Sequence, residues 1–373
     1  MNKSNYYFSA DRFYMNEDTS WFISLEDNYL MKRDNKTGVC EVIDSVSDSN
    51  EYLWCSECVK IGDFVYCLPN RAKSLYIYSL LEHSWINQIR LEENDCRLTC
   101  ELVKEQEDCF WFISRGNSKL YKYSITENKI YTKDLRTDIS KINNVEYQYL
   151  SNVCIDNDEL YFGLINTNVI VKYNCKNDKI MTFNIPISDS IWRVQKKEDN
   201  LYLIGLKKAL YEWNINSNTV HIKDNFPDDF GGVIINKKTN EKIIDFKSNE
   251  FILPLFNYPI CRGNEVWLIP FIGNEILIYN GETSSFTTYS YTSNNRKDRV
   301  TNKKYNLIYY LNNRYLGIYS NEERVYFEID LEDKTDKILD MIITSEGLEK
   351  MGMSMIEEGK ISMELFLELV TNN

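Results

Sequence analysis

One spacing constrains this chain more than any other feature of its sequence. A short run of β-type residues ends, and nine positions later a large residue sits inside a second such run. The unit is clearest at Val266-Trp267-Leu268-Ile269-Pro270, followed by Ile276-Leu277-Ile278-Tyr279-Asn280 and then Phe286-Thr287-Thr288-Tyr289. Counting back nine from the anchors Tyr78, Tyr123, Tyr173 and Tyr279 reaches Pro69, Ser114, Leu164 and Pro270, each closing a run. Arg33 and Ile329 keep the same offset to Ser24 and Ser320, while Trp213 stands one residue closer to Gly205.

The seven anchors at 33, 78, 123, 173, 213, 279 and 329 are separated by 45, 45, 50, 40, 66 and 50 residues. Periods of about 40 to 50 residues that hold several short strands are how propeller blades look in sequence. The runs are rich in Tyr, Phe, Trp, Ile and Val and are bounded by Asn, Asp and Gly, which favours strands over helices. Gly62-Asp63, Asn157-Asp158, Gly263-Asn264 and Asn312-Asn313 supply tight hairpin turns that need positive φ. A single blade cannot bury its apolar face, and seven sheets set radially can. The spacing therefore predicts an all-β, seven-bladed β-propeller over 1–343 and a short helical tail over 344–373.

Within that frame the first blade spans 11–46, and residues 5–10 are expected to form a strand that completes the last blade. The separation of 66 marks an insertion at about 225–255, with a hairpin of Val233-Ile234-Ile235 against Lys242-Ile243-Ile244. Insertions of this kind either lie on a binding face or cover an edge. In the tail, Met363, Phe366, Leu367 and Val370 fall on one helical face behind Ser362 as N-cap. Such a helix docks on a partner or packs on its own domain.

Composition supports a large core: of 373 residues 43% are hydrophobic and 14% aromatic. A net charge of −13 argues against nucleic acid as a general partner, because that affinity comes from Lys and Arg on phosphates. No run has the length of a signal peptide core or a membrane span, so a cytoplasmic protein is expected. Ten scattered cysteines fit thiols kept reduced there.

The residue seven after the anchor is large and apolar in five units: Tyr78 to Trp85, Tyr123 to Ile130, Tyr173 to Ile180, Trp213 to Val220 and Tyr279 to Phe286. An aromatic, a polar turn and a large apolar residue at this step resemble kelch repeats. The kelch Gly-Gly doublet is replaced here by Ser24-Leu25, Pro69-Asn70, Ser114-Arg115 and Pro270-Phe271. The resemblance implies a propeller and carries over no functional residue.

Candidate chemistry is sparse. His83 and His221 fall in a turn and an outer strand, away from the axis where propeller sites form. Cys55 and Cys58, with Cys96 and Cys100, have a spacing that zinc tolerates, and small buried thiols of inner strands are the reading adopted. Glu57, Glu101 and Asp156 lie near inner strands, as do the metal-holding acids of propeller lactonases.

The links between the first and second runs are more distinctive. They carry Asn70, Arg71 and Lys73; Arg115, Asn117 and Lys119; Asn166 and Asn168; Lys207 and Lys208; and Asn274. Arg193 and Arg262 add charge near inner strands. Amides and cations on one loop face suit hydroxyls, carboxylates or phosphates. No cofactor is implied. The expected function is a non-catalytic binding or scaffold propeller that recognises a protein or a polar, anionic ligand such as a glycan. The alternatives are a carbohydrate-active hydrolase or lyase and a metal-dependent lactonase-type enzyme.

Overall fold

Seven four-stranded meanders follow one another along the chain in a computed structural model, the first of them extended at its edge by a fifth strand. The structure describes residues 10–24, 28–46, 55–70, 72–91, 98–142, 149–227, 230, 233–235, 242–245, 254–271, 275–289, 305–320 and 325–357. The fold is a seven-bladed β-propeller.

Blade one comprises Phe13–Met15, Thr19–Ile23, Tyr29–Asp34 and Val39–Ser45. Blade two comprises Cys55–Ile61, Phe64–Pro69, Ser74–Ser79 and Ser84–Arg90, and blade three Cys100–Glu105, Cys109–Ser114, Lys119–Ser124 and Lys129–Asp134. Cys154–Asp156, Glu159–Gly163, Val169–Asn174 and Lys179–Asn184 make blade four. Arg193–Lys197, Asn200–Ile204, Leu210–Asn214 and Thr219–Lys223 make blade five. Blade six is Phe256–Arg262, Glu265–Pro270, Ile276–Asn280 and Ser285–Tyr289; blade seven is Tyr305–Leu311, Tyr315–Ser320, Val325–Asp330 and Thr335–Ile338.

Every anchor lies in the third strand of its blade, and its spacing is a matter of register. Tyr78 faces Val65 on one side and Trp85 on the other; Tyr173 likewise faces Leu160 and Ile180. The step of seven also holds in the first and last blades, where Arg33 faces Cys40 and Ile329 faces Asp336. The turn between explains why it is constant. The residue after the anchor is Asp, Asn or Ser in all seven blades, and its side-chain oxygen accepts an amide hydrogen bond two or three residues on. Asp34 holds Lys36 and Thr37, Asn174 holds Lys176 and Asn177, and Asp330 holds Glu332 and Asp333. Five positions after each anchor the backbone is left-handed: Gly38, His83, Asn128, Asp178, Asn218, Ser284 and Lys334. An Asx or Ser turn closed by one left-handed residue fixes the hairpin length, and with it the register.

The chain falls into two compact units, 1–102 with 307–373, and 103–306. In the first, the sheets of blades seven and one enclose Phe13, Phe22, Met31, Ile308, Tyr319 and Tyr326. Blades one and two enclose Trp21, Leu30, Cys55, Cys67 and Tyr78. In the second, Leu120, Phe162 and Val171 fill the space between blades three and four, and Ile170, Leu203 and Trp213 that between four and five. Leu210, Phe256, Leu268 and Tyr279 do the same between five and six, and Phe226 and Phe230 from the start of the insertion pack there too. These contacts satisfy the sequence argument that one blade cannot bury its faces alone.

The sequence suggested that a strand at residues 5–10 completes the last blade; that blade instead draws all four strands from 305–338, and residues 5–9 lie outside the described residues. A C-terminal strand instead extends the other edge. Ile342–Ile343 runs parallel to Val39 and Cys40 as a fifth strand of blade one. Helix Ser345–Glu357 then returns onto that blade, with Leu348 and Met351 buried in its core. The helical face at 362–370 lies outside the described residues. In the insertion, Val233–Ile235 pairs with Lys242–Asp245, placing Ile234 opposite Ile244. Helix Leu135–Ile142 was not legible in sequence: among its described side chains the buried apolar ones are the pair Leu135 and Ile139.

Candidate functional site

In the second unit, the link of blade four, the link of blade five and the connection between those blades enclose an open cleft of about 590 Å³. It is lined by Asn166, Asn168, Ser188, Asp189, Ser190 and Lys207, with Ile187 and Leu206 among them. Three of these, Asn166, Asn168 and Lys207, are residues the sequence singled out.

The cleft is held by backbone bonds and by one carboxylate. Asn166 takes the left-handed conformation at the tip of its turn, where Asn is the most tolerant residue after Gly, and its amide side chain is exposed. Asn168 instead spends its side-chain amide on the Ile185 carbonyl at 2.7 Å, pinning the connection. Ile191 N donates to Thr167 O and Trp192 N to Ile204 O, which ties the other end to both blades. Asp189 accepts from Ser190 N, Leu206 N, Lys207 N and the Tyr211 hydroxyl at 2.8 to 3.0 Å. Four donors use the acceptor capacity of one carboxylate. Burial and this carboxylate push the Tyr211 phenol up, so it stays a donor.

Gly205 makes this approach possible. A Cβ there would lie 2.2 Å from Asp189 Oδ2. Blade five is also the blade whose second and third strands are joined by one residue fewer, so the short offset from Gly205 to Trp213 marks the site. Sequence reasoning saw the short offset and missed Ser188, Asp189 and Ser190, because a Ser-Asp-Ser loop carries no motif of its own.

What remains for a ligand is donor-rich. Lys207 is exposed, with its ammonium 2.9 Å from Ser188 Oγ, and Asn166 and Ser190 stand beside it. Amide, hydroxyls and ammonium suit an anionic or hydroxylated group.

The other candidates are differently placed. Asn117 is buried and donates to the Tyr121 hydroxyl, and its Oδ1 caps Lys119 N. Arg115 and Lys119 flank it in the link of blade three. Lys208 points at the aromatic cluster, 5.4 Å from the Phe230 ring, and donates to the Phe230 carbonyl. Arg193 is buried: it binds the carbonyl and side chain of Asn257 and lies over Tyr258, joining the inner strands of blades five and six. Arg262 pairs with Glu265 across the hairpin between first and second strands, the end of blade six opposite its link. In the first unit, Asn70 reaches Asp11 at 3.5 Å, and Lys73 occupies the same link. Arg71 and Asn274 lie outside the described residues.

Inner-strand acids form a separate cluster in the first unit. Arg12 bridges Glu57 at 3.4 Å and Glu101 at 3.3 Å, and Glu57 also accepts from Leu102 N. Both glutamates are buried. Burial raises the Glu57 carboxyl to about 7; Arg12 opposes the shift and Glu101 adds to it. Asp156 is instead salt-bridged to Lys196. Among the described residues no group of three His, Cys, Asp or Glu is placed to hold a metal ion. Cys55 and Cys58 are buried free thiols, Cys100 is buried as well, and Cys96 lies outside the described residues. No helix among the described residues is long and apolar enough to cross a membrane.

Neither a protein-family model nor a curated protein matches this sequence. Solved structures do match in fold. A catalytically inactive virginiamycin B lyase from Staphylococcus aureus, crystallised with quinupristin, superposes with a TM-score of 0.54 at 12% identity, over 91% of this chain and 97% of the lyase. The computationally designed protein Ika8 gives 0.54 at 8% identity, over 90% of this chain and 86% of that one. A chain of the mitotic checkpoint complex gives 0.50 at 11% identity, over 91% and 90%. At such identities the similarity is one of fold.

Proposed function

We propose that this protein is a kelch-like binding propeller of the cytoplasm, and that the cleft between blades four and five recognises an anionic or hydroxyl-rich group on a protein or a glycan. The observation that carries this reading is the asymmetry of the cleft. Its one acid, Asp189, is saturated by four donors, while Lys207, Asn166 and Ser190 face the opening. A local donor-rich surface on a chain of net charge −13 attracts anions against an acidic background. The kelch-like element rests on the seven-residue register from anchor to large apolar partner, and the cytoplasmic element on free thiols such as Cys40 and Cys67.

The checkpoint-complex chain shows that a propeller can serve within a protein assembly, and the lyase that one can meet a small ligand. The test is an array of acidic and neutral glycans and peptides, probed with wild type and with the double variant Asn166→Ala, Lys207→Ala. Wild type should prefer acidic members, lose them as salt rises, and lose them in the double variant. Equal signals for the two proteins would reject this cleft.

A further inference from the structure

A second cleft, in the first unit, has the opposite chemistry. Strand Val39–Ser45 of blade one, the C-terminal helix and the third-to-fourth-strand turn of blade two enclose about 280 Å³. The strand contributes Glu41 and Asp44, and the helix contributes Glu346 and Lys350. Blade two contributes Tyr78 and His83. Glu41 is paired with Lys32 at 3.6 Å, and the Lys350 ammonium donates to the Ile43 carbonyl, which ties the helix to the strand. Asp44 gives one oxygen to Ser45 N. Glu346 is exposed.

Acidic side chains around a hollow do not make a site. The residue that does is Tyr78. In three other blades the anchor spends its polar tip on the left-handed residue five positions on. Tyr123 donates to Asn128 at 2.7 Å, Tyr173 to Asp178 at 2.9 Å and Trp213 to Asn218 at 2.9 Å. In blade two that position is His83, and the Tyr78 hydroxyl forms no hydrogen bond with a described residue. Yet Tyr78 is 3% exposed, fixed edge-on against Trp85, and lines the cleft. The ring is held in the core while its hydroxyl stays accessible at the cleft, where an incoming donor can reach it.

We propose that this cleft binds a primary ammonium or guanidinium group, carried by a polyamine or by a lysine or arginine side chain of a partner. The hydroxyl of Tyr78 accepts a hydrogen bond from the cation while Asp44 and Glu346 supply opposite charge. Burial, with Asp44 and Glu41 nearby, raises the phenol's pKa, so it stays protonated beside them. Lys350 and Lys32 offset part of the negative charge. Three carboxylates still line one small space, and a hydrogen bond with an ionised donor is about twice as strong as a neutral one.

Calorimetric titration at low ionic strength tests this with spermidine and with a short capped peptide holding one lysine and one arginine; 1,4-butanediol serves as neutral control. Saturable binding of at least one cation is expected, with none of the diol. Asp44→Asn and Tyr78→Phe should each weaken it about tenfold, the size of a lost hydrogen bond to a charged group. Glu346→Gln, on an exposed helix position, should also weaken it, and leaves the core untouched. Binding of spermidine alone assigns the site to polyamines, and binding of the peptide alone to a protein side chain. If neither cation binds, or all three variants bind like wild type, the proposal is overturned.

Discussion

Arg33 donates from Nε to the backbone carbonyl of Asp340 at 3.0 Å, joining the third strand of blade one to the segment that precedes the C-terminal strand. Five of the other six blades have an aromatic at this position, and the seventh has Ile329. Blade one differs because its outer edge is covered by Ile342–Ile343, and the guanidinium crosses the sheet to secure that cover. An exposed edge of unpaired amides is a liability, and the fifth strand covers the start of this one at Val39 and Cys40.

Replacing Arg33 by Ala leaves the Asp340 carbonyl without this donor and loosens the C-terminal strand. The Ile342 amide, bonded to Gly38 O, and the Thr344 amide, bonded to Cys40 O, should then exchange with solvent about tenfold faster. Hydrogen-exchange mass spectrometry over 338–351 measures this. Unchanged protection would mean that burial of Ile343, Leu348 and Met351 holds the strand by itself.

Gly38 and Lys334 occupy equivalent turn positions and should respond oppositely to substitution. At Gly38 φ is +74°, and an added Cβ would meet the Asp340 carbonyl oxygen at 2.7 Å. Gly38→Ala should therefore destabilise by more than about 2 kcal/mol, from left-handed strain plus the clash. Lys334 carries a side chain at φ 53°. Lys334→Gly relieves the strain at some entropic cost and should stabilise by about 0.5 kcal/mol. Denaturant midpoints check both signs.

The pH dependence of stability should carry the mark of Glu57. Its carboxyl titrates near 4.5 when unfolded and is raised to about 7 in the folded protein, first of all by burial. Between those values the folded state holds the proton more tightly, so stability falls as pH rises and levels off above about 7. Glu57→Gln keeps an oxygen for Leu102 N and removes the titration. From pH 5 to pH 8, wild type should lose on the order of 1–3 kcal/mol relative to the variant in chemical denaturation. Parallel profiles would refute the assignment.

Trp267 is fully buried, lies 5.4 Å from Tyr289 and bonds Glu265 through its indole nitrogen. Trp267→Ala should cost about 3–5 kcal/mol, the range for a large aromatic removed from a core. An unmoved denaturation midpoint would contradict this packing.

The repeat was legible in sequence because it is local. Strand register, the turn after each anchor and the left-handed residue that closes it depend on residues within about a dozen positions, so Tyr173 and Ile180 announce their pairing directly. The link residues Asn166, Asn168 and Lys207 were legible for the same reason. What they do was not. Asn168 and Lys207 are separated in sequence, and whether an amide faces a ligand or a carbonyl is decided by the connection folded between them. Asp189 meets Gly205 because one blade's hairpin is a residue shorter, and Arg193 disappears into a contact with Asn257, 64 residues away. Likewise nothing near Arg33 in sequence points to Asp340, nor near Tyr78 to Glu346. Periodic hydrogen bonding determines the blades from within each repeat. The clefts and the C-terminal strand arise where distant segments pack, and only the tertiary structure decides that.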